Sequence, residues 1–321
     1  MSDHFLELKN VKKYFAASGG SLHAVDSISF TLEKGRTIGV VGESGCGKST
    51  LGRVISRLLE ATGGEVIFKG DNILDYKGRR LKDLRRKIQM IFQDPFSSLN
   101  PRKTIYNAIA EPIKTQRMFK SRGEIENRVL EIMELVGLSE RYVNAYPHEM
   151  DGGRRQRVGI ARALALEPEL IVCDEPVSAL DVSIQAQILN LLKRLQQKFG
   201  YTYIFITHDL SVVKHFAQDV LVMYLGQVVE KAPVKELFSN PMHPYTQALL
   251  SAIPVPNIDS VRQRVILKGE ITSSINPKDE CRFADRCAYV SDACREKCPP
   301  LTDIGGGHLV QCYKIREINL G

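Results

Sequence analysis

TIGVVGESGCGKST, residues 37 to 50, decides how this sequence is read. Thr37 to Val41 form a β-rich, largely apolar run that reads as a buried strand. Gly42 opens a loop through Ser44, Gly45, Cys46 and Gly47, and STLGRVISRLL then continues with helical periodicity. The pattern is G-x-x-x-x-G-K-S-T in the strand–loop–helix context that gives the spacing its meaning. Glycines let backbone N–H groups turn toward phosphate oxygens. Lys48 supplies a point charge for the β and γ phosphates, Ser49 a hydroxyl for Mg²⁺, and Thr50 a bond to the α phosphate. The alternative, a chance glycine-rich turn, does not require strand, lysine, hydroxyl and helix to fall in register.

Two further strand ends point the same way. In ELIVCDEP, Leu170 to Cys173 read as a buried parallel strand, and Asp174 ends it where open α/β sheets meet ligands. A carboxylate there suits a water-mediated contact to Mg²⁺. Glu175 follows and is placed to polarise an attacking water. The bland reading is an acidic loop after a strand. IFITHD repeats the pattern, with His208 at the end as a γ-phosphate sensor or, as for most lone histidines, a structural residue. In EMDGGRRQRVGIARAL, which begins at Glu149, Asp151 stands before Gly152, Gly153 and Arg154. Glycines ahead of a helix admit an anion to its unpaired N–H groups, so an anionic residue in front of them is unexpected.

Bulk properties set the frame. The chain has 321 residues, enough for two domains. With 43% apolar and 25% charged residues it has the composition of a globular protein. No apolar run reaches the roughly 18 residues of a membrane span. MSDHFLELKN lacks the apolar core of a signal peptide, so a cytosolic chain is expected. The formal charge of +7 permits contact with anionic lipid or nucleic acid without requiring it. Up to residue 75 short strands and turns surround the strand–loop–helix unit. Residues 76–165 are richer in helical pattern and charge, and 166–230 return to strand–helix–strand. After residue 238 Pro and Gly rise and periodicity fades, which sets a boundary there.

Together GESGCGKST, Gln93 in IFQDP, MDGGRRQR, LIVCDEP, SALD and THD resemble, in order and spacing over residues 5–230, the ATPase subunit of ABC transporters. DEPVSALDVSIQAQILNLL, and NPMHPYTQALLSAIP beyond the core, resemble more narrowly the dipeptide/oligopeptide permease subfamily. The resemblance implies an α/β fold: a RecA-like P-loop core with an N-terminal antiparallel β subdomain and a helical subdomain over 94–165, spanning 1–238. A small irregular cysteine-rich extension over 239–321 follows. It also implies a head-to-tail pair of ATPase subunits, with ATP between the phosphate loop of one and the signature helix of the other.

On that resemblance, Lys48, Ser49 and Thr50 bind phosphates and Mg²⁺, and Gln93 reaches the metal and the water. Asp174 supports Mg²⁺, Glu175 is the catalytic carboxylate, His208 contacts the γ phosphate, and Asp181 lies at the dimer seam. Adenine stacks on Phe15, with Tyr14 close behind; either ring is otherwise plausible in a core. The helical region between Gln93 and Asp151 docks on the permease. The basic run KGRRLKDLRRK, 77–87, is a solvated face or, less simply, a contact with permease or lipid headgroups.

The family usually carries Ser at position 151 and Gln at 154, where this chain has Asp151 and Arg154. Asp caps a helix as well as Ser does. A Ser hydroxyl can also donate to phosphate, and an ionised Asp cannot. Like charges about 4 Å apart repel by roughly 4 kcal/mol at an effective dielectric near 20. Two outcomes stand open: weakened chemistry at the partner's site, or rescue by Arg154, a water or a shifted helix. The first favours a heterodimer, because this chain's own phosphate loop, Glu175 and His208 are complete.

Five of the seven cysteines fall between 281 and 312, as CRFADRCAYVSDACREKC and then Cys312. In a reducing cytosol such clustering suggests metal before disulfides. Zinc modules usually pair C-x2-4-C knuckles, and only Cys294/Cys298 fits one. An iron–sulfur cluster on four thiolates is the other cytosolic reading, and free thiols the third. The resembling subfamily carries a [4Fe–4S] centre, which implies Cys281, Cys287, Cys294 and Cys312 as ligands and Cys298 as the extra thiol. The cluster is expected to pin an extension too small for its own core. Cys46 and Cys173 sit inside motifs as packing residues.

The expected function is ATP hydrolysis powering an importer of dipeptides or oligopeptides, peripheral on the cytoplasmic face of the membrane. Its expected partners are a second ATPase subunit, two transmembrane permease subunits and, indirectly, a peptide-binding protein, with no nucleic acid. The rivals are a soluble ABC protein of translation or DNA metabolism, favoured by the positive charge alone, and an ATPase fused to a zinc nucleic-acid module.

Overall fold

The structure, a computed structural model, describes residues 4–94, 98–253, 265, 267, 269 and 273–319. Pro95 of IFQDP and Pro254 of NPMHPYTQALLSAIP lie outside the described residues. The chain divides into two units: Met1–Leu32, Thr37–Leu74 and Thr207–Gly321 in the first, Glu33–Arg36 and Asp75–Ile206 in the second.

The first unit opens with a hairpin of two long strands, Leu6–Ala17 and Gly20–Leu32. Short strands were expected there. The pairing shifts register between Leu8 and Val11, Val11 and Lys13, and Lys13 and Tyr14, and each shift breaks the alternation that marks a continuous strand. Gly63–Phe68 and Asp71–Asn72 extend this antiparallel sheet from the Leu6–Ala17 side. The wholly buried strand Thr37–Val41 runs parallel to Asp219–Tyr224, which pairs antiparallel with Gln227–Pro233. Leu309–Val310 pairs in turn with Gln227–Pro233, and Thr302–Asp303 with Leu309–Val310.

The cysteine-rich extension is thus part of the same body as the phosphate loop. Val41, Val222, Tyr224 and Leu237 share one core with Tyr245 and Phe283 from the extension. The extension's regular pieces are short, such as the helices Pro244–Ser251 and Asp292–Glu296, which is why periodicity faded. Glu230, fully buried, accepts the N–H groups of Met242 and His243 at 2.8 and 3.0 Å and lies 2.7 Å from His308 Nε2.

In the second unit, Leu170–Asp174 lies parallel between Ile88–Ile91 and Thr202–Ile206. All but one residue of these three strands are buried, consistent with their near-continuous apolar runs. Helices Ile105–Gln116 and Arg122–Leu135 fill the stretch expected to be helical, the second opened by a capping box of Ser121 and Glu124. The basic run forms the helix Gly78–Lys87, buried at Leu84 and otherwise mostly exposed, as a solvated face should be. Among the described residues no helix is long and apolar enough to cross a membrane.

Candidate functional site: a phosphate loop, a strand-end carboxylate pair and a thiol cavity

The phosphate loop leaves its strand at Gly42 and enters the helix Lys48–Ile55 through Gly47. Gly47 has φ 103°, and a Cβ there would come 2.0 Å from Ala24 O, so no other residue fits. With glycine at the N-cap no side chain caps the helix, the arrangement in which first-turn N–H groups can meet an anion. Lys48 is 4% exposed and folds back onto the loop, donating from Nζ to the carbonyls of Gly42 and Glu43 at 2.8 Å each. Cys46 is buried beneath, its thiol raised by burial, and acts as packing. Ser44, Gly45, Ser49 and Thr50 lie in the same loop and helix start.

His208 follows Thr207, whose N–H donates to Val40 O at 3.1 Å, so its turn adjoins the strand that delivers the loop. Phe15 and Tyr14 sit in the hairpin, paired with Leu22 and His23. Lys13 Nζ lies 4.8 Å over the Phe15 ring. Tyr14 is engaged otherwise. Its ring stacks on His23 with centroids 3.8 Å apart, and its hydroxyl donates to Asp26 Oδ1 at 2.5 Å. Arg282 of the extension pairs with the other oxygen of Asp26. Burial alone would raise the Asp26 carboxyl, but the Tyr14 hydroxyl, Arg282 and His23 carry it below the ordinary value.

In the second unit, adjacent parallel strands bring two predicted residues together. Gln93 lies just past Ile88–Ile91 and Glu175 just past Leu170–Asp174, and Gln93 Nε2 donates to Glu175 Oε2 at 2.9 Å. Glu175 has φ 46°, a left-handed conformation unusual for glutamate and the kind of local strain that collects at functional sites. Its N–H is tied to Ile206 O at 2.9 Å. Asp174, 2% exposed, ends its strand. As a buried carboxylate it is an oxygen donor of the kind Mg²⁺ takes, as is the Ser49 hydroxyl in the other unit.

Asp151 is the N-cap of the helix Gly152–Leu164, its Oδ1 accepting the Arg154 N–H at 2.7 Å. Its Oδ2 pairs with the Arg154 guanidinium at 2.6 Å. Both features weighed from sequence, the cap and the neutralising arginine, therefore coexist. Gly153 has a packing duty, since a Cβ there would come 2.7 Å from Ile184 Cγ2. Asp181 caps the helix Val182–Phe199 through Oδ1 to the Ile184 N–H at 3.0 Å, which holds its carboxyl below the ordinary value. A cavity beside Gln93 and Gly152 is also lined by Arg155 and Gln156, which sequence reasoning passed over. Gln156 is 1% exposed and its Nε2 has no hydrogen-bond partner, a signal visible only in three dimensions.

In the extension, Cys281, Cys287, Cys294 and Cys312 line one small cavity together with apolar residues such as Phe283, Val290 and Pro299, and Cys298 is not among its lining. Backbone N–H groups of Tyr289 and Lys314 donate to the sulfurs of Cys287 and Cys312 at 3.4 and 3.3 Å, and Ser291 Oγ lies 3.5 Å from Cys294 Sγ. Burial pushes the Cys281 thiol up to about 12 and raises those of Cys287 and Cys312, which favours the neutral thiols. All are free cysteines, and among the described residues no three His, Cys, Asp or Glu side chains are arranged to hold a metal ion. A mononuclear zinc needs four sulfurs drawn to about 2.3 Å from one centre. The four thiols lie around one cavity, and polar groups sit beside three of their sulfurs.

Comparison with known proteins adds the family. The ABC transporter family profile matches residues 25–178, and the profile for the oligopeptide/dipeptide transporter C-terminal region matches residues 229–294. The chain is 51% identical over 318 residues to the oligopeptide transport ATP-binding protein AppF of Bacillus subtilis, covering 96% of each. It is 50% identical over 314 residues to the oligopeptide transport ATP-binding protein OppF of Escherichia coli, covering 97% of this chain and 93% of that one. A solved dimeric ATP-binding cassette with ADP and Pi superposes with a TM-score of 0.66 at 32% identity, over 71% of this chain and 98% of its own.

Proposed function

This chain belongs to the ABC transporter ATP-binding family, and from that premise we propose that it hydrolyses ATP to drive peptide import across the cytoplasmic membrane. The observation carrying the peptide assignment is the second profile match, a peptide-transporter C-terminal region following the cassette in one chain. AppF and OppF, half identical over nearly the whole length, support it.

In this reading the uncapped helix start with Lys48, Ser49 and Thr50 holds the phosphates, His208 meets the γ phosphate, and Phe15 carries the adenine. Tyr14 supports the hairpin from its opposite side. Glu175 takes the proton of the attacking water, and Gln93, already bonded to that carboxylate, orients the same water. Ser49, Gln93 and Asp174 would hold Mg²⁺, which would supply charge neutralisation for the phosphates. The four cavity cysteines would hold a [4Fe–4S] centre that pins the extension.

The subunit works peripherally at the cytoplasmic face, on two permease subunits docked at the helical region between Gln93 and Asp151, with a peptide-binding protein outside. A second ATPase subunit completes the pair, and Asp181 lies at that seam. Asp151, with both oxygens committed to Arg154, offers the partner's γ phosphate no donor hydroxyl. A heterodimer follows, with the nucleotide on this chain's own loop at the more active site.

The test is reconstitution in vesicles with the co-purified permease, with ATPase activity followed as binding proteins loaded with a ligand panel are added. Stimulation by peptide-loaded binding protein is expected. Stimulation by a non-peptide ligand alone would redirect the assignment. Failure to co-purify with membrane subunits would favour a soluble role.

A further inference from the structure

Glu43, the second residue of the phosphate loop, is held at four of its atoms. Its carbonyl accepts Lys48 Nζ at 2.8 Å, which ties it to the lysine that serves the phosphates. Its N–H donates to the hydroxyl of Tyr245 at 2.9 Å. Its carboxylate takes both terminal nitrogens of Arg286, at 2.7 and 3.1 Å, in the two-pronged geometry that fixes direction as well as distance. Tyr245 and Arg286 lie far outside the cassette match and inside the C-terminal match.

Neither residue is free to drift. Tyr245 is fully buried, and its ring meets Tyr224 and Phe283 edge-on or tilted, at centroid distances of 4.8 and 5.5 Å. The Arg286 side chain is 9% exposed and immediately precedes Cys287 of the thiol cavity. Elsewhere the loop is braced by close backbone approach, as where Gly226 N–H donates to Cys46 O at 2.9 Å. Glu43 is where side chains from the extension take hold.

We propose that Arg286 and Tyr245 are positioning residues for the nucleotide site: by fixing Glu43 from the C-terminal extension, they set where the phosphate loop and Lys48 stand to receive Mg-ATP. The proposal rests on reading Gly42–Thr50 as the phosphate loop. A residue that pre-places a binding loop contributes equally to the ground and transition states, so its loss raises KM and leaves kcat.

The experiment uses the full chain in its assembled transporter, with Mg-ATP as probe in steady-state hydrolysis and, in a Glu175→Gln background, in equilibrium binding. Arg286→Ala should raise KM and the dissociation constant about tenfold, the scale of one charge-assisted hydrogen bond, with kcat near the wild-type value. Arg286→Lys should recover part of the loss, since it keeps the charge but not the fork. Glu43→Gln should weaken binding similarly and add little in combination with Arg286→Ala, because both cut one contact. If Arg286→Ala does not fold, Tyr245→Phe and Glu43→Gln carry the same test. A lowered melting temperature with unchanged KM, or full additivity of the pair, would overturn the proposal. Lys48→Ala is the control: normal binding there brings down the phosphate-loop reading itself, whereas loss there with normal binding in Arg286→Ala, Glu43→Gln and Tyr245→Phe brings down the proposal alone.

Discussion

The residues read as the phosphate loop, Gly42 to Thr50, are consecutive and lead straight from a strand into a helix. The thiol cavity of the same unit is lined by Cys281, Cys287, Cys294 and Cys312, gathered by short helices and turns. The first site is built by local conformation and needs glycine where a Cβ would collide, as at Gly47. The second is built by convergence and needs the rest of the unit to bring its parts together. A local site survives much change elsewhere in the chain. A convergent one fails when any of its supports does.

That contrast can be tested from its strongest consequence downward. Lys48→Ala should abolish Mg-ATP binding outright, while Glu175→Gln should keep the affinity and slow steady-state turnover by about 10²-fold or more. Unchanged turnover in Glu175→Gln would remove that carboxylate from water activation and leave the loop a binding device only. For the convergent site, anaerobically purified protein should be brown and contain iron and sulfide, as expected of iron–thiolate centres. Cys281→Ser should remove the colour and Cys298→Ser should not, since Cys298 does not line the cavity. Stoichiometric zinc without iron would end the cluster assignment.

A smaller effect is expected at Asp151. With Glu175→Gln blocking this chain's own site, adding Asp151→Ser should raise the residual rate by up to about tenfold, which corresponds to about 1.4 kcal/mol of relieved repulsion. The Arg154 pairing makes a bare-charge estimate an upper bound. A residual rate indifferent to Asp151→Ser would reduce Asp151 to a helix cap and leave the heterodimer without its argument.

The smallest effect concerns Asp26, through which the extension holds the hairpin. Its carboxyl is lowered in the folded state by the Tyr14 hydroxyl, Arg282 and His23 against the opposing effect of burial. Its stabilisation is therefore complete above the unfolded value of about 4 and is lost as pH falls through the lower folded value. Asp26→Asn should cost about 1–2 kcal/mol in urea unfolding at pH 7 and narrow the gap from wild type at pH 3. A gap that stays the same at both pH values would mean that the carboxylate charge is not what matters there.

How much was legible follows the same division. The loop, the strand-end carboxylates and the cap at Asp151 could be read from residues adjacent in sequence. The Gln93–Glu175 bond became visible once two parallel strands were known to be neighbours. The engagement of Tyr14 could not be read, because register shifts in the hairpin hide which way its ring turns. Nor could the pairing of Arg286 with Glu43, or of Arg282 with Asp26. Each joins residues more than 200 positions apart, and no local pattern records which distant carboxylate an arginine will choose.

Glu230 carries a consequence for inheritance. It lies on the strand Gln227–Pro233, and the groups that satisfy it, the N–H groups of Met242 and His243 and the ring of His308, all lie beyond residue 238. A carboxylate buried without those groups would cost several kcal/mol. Deleting the residues beyond 238 would leave this acid buried and unsatisfied, and the strand that carries it destabilised. A relative ending before that point is expected to carry an uncharged residue here, which sequence comparison can check.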